Sequence, residues 1–261
     1  MDRLYVVKIG GNIIDDEMSL SFFLQRFSEI DTHKILVHGG GKEATRLGEQ
    51  LHIPQRMLNG RRITDAETLK VVTMVYAGYI NKNIVAQLQA GGCNAVGVTG
   101  ADGNCIQAHK RVTNEVDYGF AGDVDVVNDS FFKSLLYQGF TPVVAPITHD
   151  KMGQLLNTNA DTIAGEIAKA LSPYYETHLI YSFEKEGVLL DVTDDESVLN
   201  KLTKTAYEKL KASGKIFAGM IPKLDNAFAA LETGVERIVI GNGAKITQLI
   251  SGSAGTNITN E

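Results

Sequence analysis

Cysteine is nearly missing from this chain of 261 residues: only Cys93 and Cys105 occur, without metal-ligand spacing. That scarcity points to a reducing cytoplasm, and both cysteines read as small packed residues rather than reactive thiols. A basic block is also missing, and a net charge of −6 with a pI near 5.6 argues against a nucleic-acid or membrane-surface partner. A local cationic cleft stays compatible with that balance. No apolar stretch is long enough to span a bilayer, and Met1-Asp2-Arg3 leads straight into a strand, unlike a signal peptide. Neither a Walker phosphate loop nor GxGxxG is found, so the ordinary nucleotide folds are unsupported. The six histidines show no metal-site pattern. No Ser-His-Asp arrangement, internal repeat, low-complexity tract or coiled coil can be read.

With 44% hydrophobic residues, the chain can bury a large core as one α/β domain or two lobes. Strand-like runs alternate with helical patterns almost throughout, which predicts a mostly parallel sheet covered on both faces. Helical spacing is read over Glu17–Ile30, with Leu20, Phe23, Leu24 and Phe27 inward, and over Lys42–Leu51, with Ala44, Leu47 and Leu51 inward. Asn59-Gly60 predicts a hairpin turn. A helix follows, opened by a capping box of Thr64 and Glu67, with Leu69, Val72, Tyr76 and Tyr79 at core spacing. From Ala95 to Asn157 short strands and turns prevail, and Asn159–Leu171 is an amphipathic helix. Ser172-Pro173 ends it and marks a lobe boundary, giving lobes 1–172 and 173–261.

Two glycine runs end buried-type strands: Lys8-Ile9-Gly10-Gly11 and His38-Gly39-Gly40-Gly41. Without Cβ, glycine lets an anion approach the peptide N–H groups, and a following helix adds its positive dipole end. Lys8, costly inside an apolar strand, makes sense where it emerges to meet an anion. His38 reads as a hydrogen-bonded structural residue rather than a base. Asn157-Thr158-Asn159-Ala160-Asp161 offers two amides on one side of an extended segment and an acid in the next helical turn, although Asn and Asp are also favoured caps. Gly219-Met220-Ile221-Pro222-Lys223 places a lysine at a helix N-terminus, unfavourable unless an anion docks there or solvent screens it. Arg61-Arg62 follows the hairpin turn, and Arg62 is suited to hold a carboxylate bidentately. Asp15-Asp16, Asp123-Asp125 and Asp194-Asp195-Glu196 read as turns and solvated edges.

In order along the chain, these segments, with Arg62-Ile63-Thr64, Gly100-Ala101-Asp102-Gly103 and Gly119-Phe120-Ala121-Gly122-Asp123-Val124, resemble the amino acid kinase superfamily, most closely its N-acetylglutamate kinases. The resemblance implies a three-layer αβα sandwich with an acylglutamate-binding N-terminal lobe and an ATP-binding C-terminal lobe. It implies transfer of the γ-phosphoryl group of ATP to the side-chain carboxylate of N-acetyl-L-glutamate, with Mg²⁺ held by ATP. Lys8 and Lys223 would neutralise phosphoryl oxygens, Asp161 would hold both ammonium groups, and Gly11, Gly40 and Gly41 would present backbone N–H groups. Arg62, Asn157 and Asn159 would grip the acceptor. Gly10, Glu184 and Gly187 would complete the nucleotide contacts.

Two departures from the family pattern stand out. Phe183-Glu184-Lys185-Glu186-Gly187 replaces the usual Thr/Ser-Asp-Val-x-Gly, leaving Glu184 as the substitute acid. Arg61 stands where an apolar residue commonly precedes the motif arginine, which suits a carboxylate-bearing acyl group such as succinyl. The alternatives to an acetylglutamate kinase are therefore a succinylglutamate kinase and a non-catalytic acylglutamate or nucleotide sensor. Arginine-inhibited relatives resemble the chain but carry an added N-terminal helix, so the expectation is a homodimer insensitive to arginine.

Overall fold

The computed structural model describes residues 1–58, 60–191, 193–194, 196–216 and 220–260, without the Pro222 side chain. Asn59, Asp195 and Gly219, each part of a motif or turn named above, lie outside the described residues. The strands are β1 (Arg3–Ile9), β2 (His33–His38), β3 (Arg56–Leu58), β4 (Arg61–Ile63), β5 (Ala95–Val98), β6 (Ile106–Lys110) and β7 (Ala121–Val127). They continue with β8 (Thr141–Val144), β9 (Ile147–His149), β10 (Leu155–Thr158), β11 (Glu176–Phe183), β12 (Lys201–Thr203), β13 (Arg237–Asn242) and β14 (Thr256–Thr259). The helices are α1 (Gly11–Ile14), α2 (Glu17–Ser28), α3 (Gly41–Gln50), α4 (Ala66–Thr73) and α5 (Asn81–Ala90). After them come α6 (Asp129–Tyr137), α7 (Ala160–Leu171), α8 (Lys204–Ala212), α9 (Ile221–Glu232) and α10 (Ile246–Ser251).

Eight strands form the main sheet in the order β12-β14-β13-β11-β1-β2-β8-β5. Neighbours run parallel except β13 with β14. Alternation along β1 sends Leu4 and Val6 to one face and Tyr5, Val7 and Ile9 to the other, and all five are buried. The first face packs on side chains of α6, α7 and α9, such as Phe132, Ile163, Ile167 and Leu224. The second packs on α2, α5 and α10 through Phe23, Phe27, Ile84 and Leu249. The αβα sandwich follows from strands apolar on both faces. The sheet runs unbroken across Ser172-Pro173, because β11 pairs with β1 along its whole length.

Since β1 is flanked by β2 on one side and β11 on the other, the chain changes winding direction there, where the carboxyl ends of an open α/β sheet leave a crevice. Both glycine turns open onto it. Over this edge sits a closed ring of four short strands, β10-β7-β6-β9, and beside it the β3–β4 hairpin.

Four local expectations need correction. Asp65, not Thr64, caps α4: its Oδ1 accepts from the Thr68 N–H at 2.8 Å. Thr64 is buried and bridges to Gly119 instead. Tyr79 is 62% exposed, because Met74–Ile80 is a π-helix whose wider turn rotates later side chains off the face set by α4. Leu51 is 49% exposed, for α3 ends at Gln50, and its inner face is made by Ala44 and Gly48 with Leu47 partly buried against the core. Asp123 of β7 is not a solvated edge either, since it takes a bidentate contact from Arg111, whereas Asp125 is exposed as expected and pairs with His109 at 2.6 Å. Both cysteines are buried, and burial pushes the Cys105 thiol up to about 12. No helix among the described residues is long and apolar enough to cross a membrane.

Candidate active site

The β2 turn is held from behind. His38 is wholly buried; its Nδ1 donates to the Gly39 carbonyl at 2.8 Å, and Asn81 Nδ2 donates to Nε2 at 3.1 Å and to the Val143 carbonyl at 2.9 Å. The carbonyl and the amide donor fix one tautomer of a neutral ring. Burial pushes the His38 pKa down to about 4. Gly40 then caps α3 with φ +145°, and a Cβ there would meet Ile80 at 2.3 Å and Tyr76 at 3.2 Å. Any other residue would be strained at this φ and would have to displace the Ile80 and Tyr76 side chains. The β1 turn is fixed by the Gly10 N–H donating to the Ser182 carbonyl at 3.0 Å. Lys42 joins the two turns, donating to Asn12 Oδ1 and lying 3.5 Å from Asp15.

A pH test of His38 follows. Its lowered folded pKa means that the unfolded chain takes up a proton first as pH falls below 6.5, so stability is full above 6.5 and declines towards 4. The loss amounts to about 3 kcal/mol across that window. Denaturant melts at pH 7 and 4.5 should show a smaller acid loss in His38→Gln than in wild type. Equal losses would remove the histidine from the account.

The sheet face explains where Lys8 goes. It shares its side of β1 with Leu4 and Val6, the side covered by α7, and its Nζ reaches Asp161 Oδ1 at 2.8 Å in the first turn of that helix. Lys223, in the first turn of α9, donates to Asp161 Oδ2 at 2.9 Å. The three side chains are 12%, 11% and 19% exposed respectively for Lys8, Lys223 and Asp161. Burial alone would raise the Asp161 carboxyl, but Lys223 and Lys8 outweigh it and hold it far below the usual carboxylate range. Tyr181, fully buried, supports the group from beneath: its hydroxyl donates to the Asp161 carbonyl at 3.1 Å, and Lys223 Nζ lies 4.9 Å from its ring centroid. Sequence reasoning missed Tyr181, which looks like one more apolar residue of β11.

Next to this pair of lysines is a cleft of about 160 Å³, whose lining includes Gly40, Gly41, Arg62, Tyr76, Asn157 and Asn159. Arg62 is 7% exposed, and its guanidinium donates to the Gly41 carbonyl at 2.7 Å, to Thr45 Oγ1 at 2.9 Å and to Gln55. The two asparagine amides are not an equivalent pair. Asn157 Nδ2 donates to Thr64 Oγ1 at 3.0 Å, whereas Asn159 Oδ1 caps α7 at the Thr162 N–H, also at 3.0 Å. Backbone bonds stitch these segments into one wall: Thr64 N–H to the Tyr118 carbonyl, Phe120 N–H to the Thr64 carbonyl, and Asn157 N–H to the Phe120 carbonyl.

A family model described as the amino acid kinase family matches residues 3–242. The chain belongs to the amino acid kinase family. It is 54% identical over 95% of its length to a protein of Parabacteroides distasonis named acetylglutamate kinase, covering 97% of that protein. A Bacteroides thetaiotaomicron protein of the same name is 53% identical over 98% of both chains. Among solved structures, smu.665 from Streptococcus mutans superposes with a TM-score of 0.83 at 26% identity, over 100% of this chain and 99% of that one.

In this amino acid kinase the residues of the departed segment separate. Phe183 and Glu184 line a second cleft of about 440 Å³ with Asn12, Phe22, Asn242 and Gly243, and the Glu184 charge acts on Lys223. Glu186 binds Asn242 at 2.8 Å and Lys245 at 2.7 Å. Gly187 is packed on β14, where a Cβ would meet Thr256 Oγ1 at 2.6 Å. Ser182, unremarked in the sequence, is the penultimate residue of β11 and carries a buried hydroxyl that has no hydrogen-bond partner among the described residues. Such an orphan beside both the β1 turn and Gly243 fits a site that a phosphate-bearing ligand completes.

Proposed function

We propose that the chain transfers the γ-phosphoryl group of ATP to the side-chain carboxylate of N-acetyl-L-glutamate, giving N-acetyl-L-glutamyl 5-phosphate and ADP on the way to arginine or ornithine. The observation that carries this reading is one ionised carboxylate, Asp161, holding Lys8 and Lys223 beside a cleft lined by Arg62 and the three glycines of the β2 turn. A bond forms between a carboxylate oxygen and the γ-phosphorus while the bond to the ADP oxygen breaks. A glutamate-type carboxylate is ionised at neutral pH, with a pKa of about 4.3, so no general base is required. The barrier is the approach of anions in line, and lysines, backbone donors and positioning lower it.

In this assignment Lys8 and Lys223 neutralise phosphoryl oxygens, and Gly10, Gly11, Gly40 and Gly41 supply the N–H groups of the turns. Arg62, Asn157 and Asn159 orient the acceptor. Glu184, Ser182 and the Phe183 cleft border the nucleotide, with Gly187 setting the turn behind them. Among the described residues no cluster of three or more His, Cys, Asp or Glu side chains could hold a metal, so Mg²⁺ is assigned to the ATP phosphates. Acceptor binding belongs to residues 1–172 and nucleotide binding to 173–261. A cytoplasmic homodimer completes the reading.

The test is to incubate purified protein with Mg-ATP and N-acetyl-L-glutamate and trap acyl phosphate as the hydroxamate. Steady hydroxamate formation is expected. Saturable binding of the acylglutamate without hydroxamate, from any acylglutamate offered, would replace the kinase by a sensor.

A further inference from the structure

The same cleft holds a second arginine that the reaction so far leaves idle. Arg61 lines it beside Met57, Pro146 and Gly122, is half-buried, and its guanidinium makes no hydrogen bond or ion pair among the described residues. Its neighbours do not neutralise it. Arg111 is 18% exposed, takes both oxygens of Asp123 and lies 5.8 Å from the Tyr118 ring, so that pair cancels itself and leaves the Arg61 charge over. Burial first and then the Arg111 charge press against the Arg61 cation and outweigh the attraction of Asp123 and Tyr118, yet a guanidinium stays charged throughout. A half-buried cation without a partner is costly unless an anion docks on it.

N-Acetyl-L-glutamate supplies only two carboxylates. One goes to the phosphoryl group near Lys8 and Lys223, and the other is matched by Arg62, whose donors to Gly41, Thr45 and Gln55 fix its plane. An acetyl methyl offers nothing to Arg61. We infer that Arg61 reads the acyl group, and that the preferred acceptor is an N-acyl-L-glutamate whose acyl chain ends in its own carboxylate, of the succinyl class. The inference rests on the kinase reading above and refines its acceptor.

Three acceptors separate charge from size: N-acetyl-, N-butyryl- and N-succinyl-L-glutamate, the last two having acyl chains of equal carbon number. With Mg-ATP, kcat/KM for the succinyl compound should exceed that for the butyryl compound by about 10- to 100-fold, the range of a charge-assisted hydrogen bond. The gain should sit mainly in KM, because the acyl end is remote from the transferred group. Arg61→Leu should erase the advantage, and Arg61→Lys should keep part of it, through charge without the bidentate fork. A succinyl compound no better than the others, or a preference unchanged in Arg61→Leu, would overturn the inference while leaving the kinase standing. With no turnover of any acceptor the kinase reading falls. The acyl preference is then read from calorimetric Kd values, and equal values for the three compounds overturn it too.

Discussion

Replacing Lys223 by alanine is expected to lower kcat with Mg-ATP and acylglutamate by about 10²- to 10³-fold, the range seen when one preorganised donor at developing charge is removed. KM for the acceptor should change little, since Lys223 sits on Asp161 Oδ2 and not among the partners of Arg62. Lys8→Ala should behave alike, because Lys8 occupies the other oxygen of the same carboxylate. The double variant should lose less than the product of the single losses, for both cations act on one phosphoryl group. Lys223→Arg is not expected to rescue: an ammonium 11% exposed, over the Tyr181 ring, leaves little space for a planar fork. Steady-state hydroxamate assays decide this, and an unchanged kcat in Lys223→Ala would refute its role.

Asp161→Asn should be the more damaging change, because it keeps the shape and removes the carboxylate that pairs with both ammonium groups. Breaking a buried ion pair by removing one partner costs about 3–5 kcal/mol, and two cations lose their partner here. Activity should fall by about 10³-fold, since both lysines lose their positions. The pH dependence has a definite sign. The folded carboxyl lies well below the 3.8 of a free aspartate, so its stabilisation is fully present above that pH and fades as pH falls beneath it. The stability gap between wild type and Asp161→Asn should therefore be constant from neutral pH down to about 5 and narrow under stronger acid. Mg-ATP should raise Tm more in the variant than in wild type, because phosphate restores the missing negative charge. A variant as stable as wild type without nucleotide would show that the lysines do not depend on Asp161.

The part of the fold that could be read from sequence is the part set by local pattern. Runs such as Leu4–Val7 and Ile35–Val37 are apolar on both faces, which a covered parallel sheet alone accommodates. The Leu20, Phe23, Leu24, Phe27 spacing likewise fixes one face of α2, and all four are buried. Where the local signal misled, a tertiary partner won. Thr64 satisfies its hydroxyl with the Arg62 carbonyl and Asn157 instead of a helix end, and Tyr79 is displaced by a π-helix that packs Tyr76 and Ile80 against Gly40. Tyr181 and Ser182 were invisible because a strand hides which of its polar atoms face a site.

By itself, then, the sequence determined the layers, the glycine turns and the identity of the charged residues, since these depend on spacing along the chain. Only the tertiary structure decided that Lys8 and Lys223, from β1 and α9, take opposite oxygens of one aspartate on α7. It also decided that Arg62 is fixed by Gly41, Thr45 and Gln55, while the Arg61 guanidinium has no partner among the described residues. The physical reason is that charge pairing and desolvation depend on distances across the sheet, and residues 215 positions apart, as Lys8 and Lys223 are (223 − 8), carry no local pattern that encodes their meeting.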